Sequence, residues 1–178
     1  MDVKTLCLGI LSLGDASGYE IRKMVGEGSF SFFSEASYGS IYPALSKLTE
    51  DGLITCREMA QDKRPDKKVY SLTGAGRAFL ERQLSKGAGP DRNRSEFLAA
   101  ILFAESVSPE RVAGLLADRI AQHEQKIAEL VSLTDEDMSP ASRFVIDYGI
   151  ATQKAALEFL QSRKNDLLDA VAEDHEAV

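Results

Sequence analysis

Apolar and polar positions alternate with helical spacing along most of the chain and with strand spacing in one short region. Val3, Leu6, Cys7, Ile10, Leu11 and Leu13 give the first segment a broad apolar face, which predicts a helix over 3–13. Gly14-Asp15-Ala16 breaks it. Ser17-Gly18-Tyr19-Glu20 has the form of a capping box, in which serine and glutamate satisfy free backbone N–H groups. It predicts a short helix from Gly18 to about Val25, burying Ile21 and Val25. Ser29 to Ala36 reads as a loop anchored by Phe30, Phe32 and Phe33. Ile41, Leu45 and Leu48 form one stripe of a third helix that closes at Asp51-Gly52. Pro43 favours a start at Ser40, which keeps the proline in the first turn; an irregular turn from Ser37 is the alternative.

Leu53–Met59 and Lys68–Leu72 carry β-branched and aromatic residues around the polar stretch 60–67, which predicts a two-stranded hairpin. Thr73 can cap a fourth helix, Gly74 to Leu84. Ser85 to Asn93, with Gly87, Gly89 and Pro90, reads as a linker. Everything beyond is helical: a short piece from Ser95 to Glu105, a helix opened by Ser108-Pro109 and running to about Leu133, and one opened by Ser139-Pro140 and running to about Val171. In the last helix Val145, Tyr148, Thr152, Ala155 and Phe159 make a heptad-like seam. The expected fold is mainly α. A winged helix–turn–helix with a two-stranded β-hairpin wing occupies residues 1–85. Residues 86–94 link it to an all-α C-terminal dimerisation domain, residues 95–178.

Charge sharpens this division. The 178 residues are 44% hydrophobic with a formal net charge of −7, ordinary values for a chain that folds. Residues 1–94 hold 14 Lys/Arg against 12 Asp/Glu, a net of +2; residues 95–178 hold 7 against 16, a net of −9. Nucleic-acid binding depends on local field rather than on the sum. No apolar run approaches the ~20 residues that span a bilayer, and Met1-Asp2-Val3-Lys4 lacks a signal peptide's basic start, so a soluble cytoplasmic protein is expected. Cys7 and Cys56 form no CxxC pair, and His123 and His175 have no ligand partner at metal spacing. No catalytic constellation, cofactor motif or metal motif is present, and no enzyme is expected.

Helix, helix, helix, hairpin, helix is the order of a winged helix–turn–helix module, whose third helix enters the major groove of DNA. With Ile41, Leu45 and Leu48 inward, Ser40, Tyr42, Pro43 and Lys47 face outward or lie at the margin. Serine and tyrosine hydroxyls can donate to phosphate oxygens, and a lysine reaches a phosphate or a guanine edge. The wing carries Lys63, Arg64, Lys67 and Lys68, and Arg64-Pro65 stiffens an extended tip suited to a groove or a line of phosphates.

Several strings resemble the PadR family of transcriptional regulators: Leu8-Gly9-Ile10-Leu11, Ser17-Gly18-Tyr19-Glu20-Ile21, Tyr38-Gly39-Ser40-Ile41-Tyr42-Pro43-Ala44-Leu45, and Leu48-Thr49-Glu50-Asp51-Gly52-Leu53-Ile54. Tyr70-Ser71-Leu72-Thr73 and Gly76-Arg77 follow the wing in the same way. The likeness covers about residues 3–85. Asp147-Tyr148-Gly149-Ile150-Ala151 and Glu158-Phe159-Leu160 look like the longer helical C-terminal domain of one branch. The resemblance implies a homodimeric regulator of a pseudo-palindromic double-stranded operator, most often a repressor released by a small-molecule effector. It puts Tyr38, Ser40, Tyr42, Pro43 and Lys47 at the major groove and Lys63, Arg64, Lys67 and Lys68 at the adjacent backbone. The family often shows a compact G-R-P-R-K wing; here Asp66 stands where a basic residue is usual.

The seam residues Val145, Tyr148, Thr152, Ala155 and Phe159 are expected across the dimer, with Leu6 and Ile10 of the first helix contributing. A second reading, from another class, is a winged-helix module that binds a protein through its acidic helices and has little DNA affinity.

Overall fold

A computed structural model of the chain describes residues 2–27, 38–61, 64–89, 94–135 and 137–176. The chain divides into two compact units, Met1–Pro90 and Asp91–Val178. In the first, helix α1 (Val3–Leu13) starts where the Asp2 carboxylate accepts the Thr5 N–H at 2.7 Å. Strand β1 (Ala16–Ser17) leads directly into helix α2 (Gly18–Glu27). The capping box forms: the backbone N–H and the hydroxyl of Ser17 each donate to Glu20 Oε2 at 2.7 Å, and Glu20 N–H donates back to Ser17 Oγ at 3.2 Å. The loop expected over 29–36 lies outside the described residues.

Helix α3 (Tyr38–Glu50) begins two residues before Ser40, so Pro43 sits in the second turn rather than the first. The missing N–H and the ring both bear on the carbonyl four residues back, that of Gly39. Gly39 is exposed, so the lost bond falls where water can replace it. Gly52, at φ +69°, turns the chain out of α3 in the left-handed conformation that glycine adopts without strain.

Strands β2 (Ile54–Gln61) and β3 (Arg64–Leu72) pair antiparallel from Ile54↔Leu72 outward. Both run further than the apolar alternation suggested, and most of the polar stretch 60–67 is strand. Ladder hydrogen bonds do not depend on side-chain polarity, and a hairpin end in water has no buried face to mark it. The register shifts between Met59 and Gln61, and Pro65 falls opposite that shift, where its missing N–H disturbs the ladder least. The sheet has three strands rather than two, in the order β1-β3-β2, because Ala16 and Ser17 pair with Tyr70 and Val69. Helix α4 (Gly74–Leu84) is capped by Thr73, whose hydroxyl oxygen accepts the Gly76 N–H at 3.0 Å. That hydroxyl also lies 2.9 Å from both the Gly52 and Leu53 carbonyls, tying the helix start to the α3–β2 turn.

Leu8, Ile10, Ile21, Ile41, Leu45, Leu48 and Ile54 fill the centre of this unit. One expectation is corrected here. Leu6 and Ile10 are 4% and 1% exposed inside this core, so they hold α1 to its own unit and have no surface to offer a partner. A broad apolar face reads the same in a sequence whether one subunit or two cover it.

The second unit is helical. Ser95 caps α5 (Glu96–Leu102), a 3₁₀ turn follows at Ala104–Ser106, and Ser108 caps α6 (Pro109–Ser132) with Pro109 in its first turn. Helix α7 (Pro140–Glu176) lies against α6. His123 Nδ1 and Gln153 Oε1 meet at 2.6 Å, with Leu116 and Leu160 buried to one side and Leu130 and Ile146 to the other, as in two antiparallel helices. Val171 is the last buried residue of α7 among the described side chains, and the helix continues beyond it to Glu176.

Candidate nucleic-acid interface

Ile41, Ala44, Leu45 and Leu48 anchor one side of α3 in the core. The helical period then sets Gly39, Tyr42, Pro43, Ser46, Lys47 and Glu50 on the opposite, exposed side. Small, aromatic and hydrogen-bonding groups thus line a helix whose first backbone N–H groups have no partner within the helix. Ser40 is half-buried at the margin. Tyr42 is 47% exposed, and its ring rests against the start of α2: a Cβ on Gly18 would come within 2.7 Å of its Cε1. Gly18 is therefore the seat of Tyr42, a role no spacing rule shows because 24 residues separate the two positions. Ser46 and Glu50 were also absent from the sequence-predicted set, although each follows Tyr42 at helical spacing.

Lys47 lies in the last turn of α3, where a cation complements the helix dipole. Its ammonium is 2.8 Å from Asp51 and 3.5 Å from Glu50. The hydrogen bond from Lys47, and then its charge, hold the Asp51 carboxyl below the usual range, while Asp51 raises the lysine in return.

The hairpin lies beside this face: Ser46, Thr49 and Glu50 of α3 share an open depression with Cys56, Lys68 and Tyr70 of the sheet. Lys68 and Glu58 are directly opposite across β2 and β3, 3.6 Å apart and both exposed. Lys67 instead donates to Glu20 Oε1 at 2.9 Å. The Glu20 carboxyl is pulled down to about 2, first by the Ser17 backbone N–H, then by the Ser17 hydroxyl and Lys67. Arg57 reaches back to Asp15 at 2.9 Å. Arg64 is in β3, paired with Gln61. Lys63, and the side chains of Tyr38 and Arg64, lie outside the described positions.

Tyr70 is buried, and burial followed by the Cys56 thiol beside it pushes its hydroxyl pKa up. Cys7 is buried in α1, and desolvation pushes its thiol up to about 11. In the second unit, Tyr148 and Phe159 are 61% and 64% exposed, Thr152 and Ala155 are exposed, and Val145 is half-buried. They occupy a face of α7 other than the one that Ile146, Gln153 and Leu160 turn to α6, and Phe144 extends it.

The Transcriptional regulator PadR-like family matches residues 7–82, and the Virulence activator alpha C-term family matches residues 93–167. The Negative transcriptional regulator PadR of Bacillus subtilis (strain 168) is 31% identical over 140 residues, 78% of this chain and 76% of that protein. The crystal structure of Bacillus subtilis PadR in complex with operator DNA superposes with a TM-score of 0.77 at 28% identity, covering 94% of this chain and 98% of that one. The structure of the same relative with p-coumaric acid gives a TM-score of 0.69 at 27% identity, covering 96% and 95%.

Proposed function

The chain belongs to the PadR-like family of transcriptional regulators, and on that premise we propose that it is a sequence-specific DNA-binding repressor. It acts in the cytoplasm as a homodimer on a pseudo-palindromic operator and is released by a small organic effector. Residues 1–85 are the DNA-binding domain and residues 95–178 the dimerisation domain, joined by 86–94. The observation that carries this reading is α3, anchored by four buried apolar residues while Tyr42, Pro43, Ser46 and Lys47 stand exposed beside a cationic hairpin. Tyr38, Ser40, Tyr42, Pro43 and Lys47 take the major groove; Lys63, Arg64, Lys67 and Lys68 take the flanking phosphates. On binding, Lys47 gives up Asp51 for a guanine edge or a phosphate, and Lys68 gives up Glu58 for a phosphate. The relative crystallised on operator DNA supports the first part, and the relative holding p-coumaric acid supports release by a small ligand.

The two recognition surfaces of a dimer would meet half-sites one helical turn, ~34 Å, apart. Selection of genomic fragments with the purified full chain, followed by footprinting, tests this. A paired footprint is expected, with affinity that falls steeply as salt rises. Lys47→Ala and Arg64→Ala should each weaken binding, and Arg64→Ala should also lower the salt slope by about 1. Binding no better than to scrambled DNA, with capture of one stoichiometric protein, would replace this reading by that of a protein-interaction module.

A further inference from the structure

Strand β1 ends at Ser17, whose partner on β3 is Val69. Lys67 lies two residues further out, on the same face of β3 as Val69 by the period of a strand. Beyond that point β2 is the strand paired with β3 among the described residues. A two-stranded ribbon of this kind is marginally stable and free to twist. Glu20 reaches it from the first turn of α2. One carboxylate oxygen accepts both Ser17 hydrogen bonds, and the other accepts Lys67 at 2.9 Å. A single side chain therefore joins the end of β1, the start of α2 and the hairpin. Gly18, the seat of Tyr42, is the residue next to Ser17. Lys68 makes the contrast: its partner Glu58 is on the same hairpin, so that pair fixes nothing relative to the helices.

We propose that Glu20 is a positioning residue for DNA binding, setting the angle at which the hairpin leaves the helices, and that Lys67 is its internal anchor rather than a phosphate ligand. The proposal rests on the DNA-binding reading above and reassigns one of its residues. The two roles for Lys67 predict opposite signs. If Lys67 were a phosphate ligand, Glu20 would compete with DNA, and removing its charge would tighten binding. If Lys67 anchors the hairpin, removing that charge loosens it and weakens binding.

The test uses the full chain as wild type, Glu20→Gln, Lys67→Met and the double variant. Glutamine keeps the acceptor that the capping box needs and loses the charge that holds Lys67. Affinity for a fragment selected by the wild-type protein is measured by fluorescence anisotropy over a series of KCl concentrations. Both single variants should bind about two- to five-fold more weakly, the span expected of a half-exposed ion pair. The double variant should be no weaker than either, and the salt slope should stay at the wild-type value. Amide exchange of the hairpin beyond Val69 should quicken in Glu20→Gln without any DNA present. Tighter binding by Glu20→Gln, a salt slope lowered by about 1 in Lys67→Met, or unchanged hairpin exchange would each overturn the proposal. Absence of selective binding by the wild type would instead sink the DNA-binding reading, and the exchange measurement would still decide whether Glu20 holds the hairpin.

Discussion

Gly76 and Gly18 are both pressed by neighbours, and the neighbours differ in what can yield. A Cβ on Gly76 would run into the backbone carbonyl oxygen of Leu53, which already accepts from the Thr73 N–H at 3.1 Å. That carbonyl cannot retreat without opening the junction between α4 and β2. Gly76→Ala should cost about 2 kcal/mol or more, read from urea unfolding midpoints. A Cβ on Gly18 meets the ring of Tyr42, the movable end of a half-exposed side chain. Gly18→Ala should change stability by less than about 1 kcal/mol yet weaken DNA binding, because it displaces from its seat a side chain proposed to read the major groove; unchanged affinity would show that the Tyr42 ring has no fixed role. At this scale Tyr42, Pro43 and Lys47 were legible from helical spacing alone. The ion pairs of Lys47 with Glu50 and Asp51, three and four residues on, follow from the same spacing; the partner of Lys67 does not, since it depends on which segments meet in space.

The elements are tied together at their ends, and Glu20 is the tie with a measurable pH signature. Its carboxyl falls from an ordinary 4.5 to about 2 in the folded chain, so the folded state favours the ionised form. The stability this contributes is complete above about 4.5 and is lost as pH falls toward about 2. The wild type should therefore lead Glu20→Gln by about 1 kcal/mol or less at neutral pH, as suits a half-exposed group. That lead should vanish between pH 4.5 and 2 in urea titrations at stepped pH. A lead independent of pH would assign the difference to packing. Asp2 and Asp51, also held low, titrate in both proteins and cancel. Helix starts at Ser17, Thr73 and Ser108 were legible because a cap is a local arrangement of a few residues. Strand β1 and the outer hairpin were not, since a two-residue strand exists only through its partner.

For the whole molecule, the open stripe of α7 is the seam of the proposed dimer, which would bring two recognition surfaces to act together. Phe144, Tyr148 and Phe159 are exposed on a face that α6 leaves free. Phe159→Asp should keep the helical content of the unit, because the side chain is not needed for the α6–α7 contact. Sedimentation should then show a monomer in place of the proposed dimer. Operator affinity should fall by about 100-fold, the usual gain from linking two modest sites. A dimer that survives the substitution would move the interface elsewhere on the chain. The split between a net of +2 in residues 1–94 and −9 in residues 95–178 fits the proposed division between a DNA-binding and a dimerisation segment.

Local and periodic information is complete in the chain: the caps, the apolar stripes, the exposed side of α3 and the strings shared with the family. Each is set by residues within a turn or two of one another. Tertiary structure alone decided that Leu6 and Ile10 face inward, that Ala16 and Ser17 extend the sheet, and that Gly18 makes room for Tyr42. It also turned Lys67 toward Glu20. These are meetings between segments far apart in the chain, and a one-dimensional pattern carries periodicity but not the identity of what packs against it.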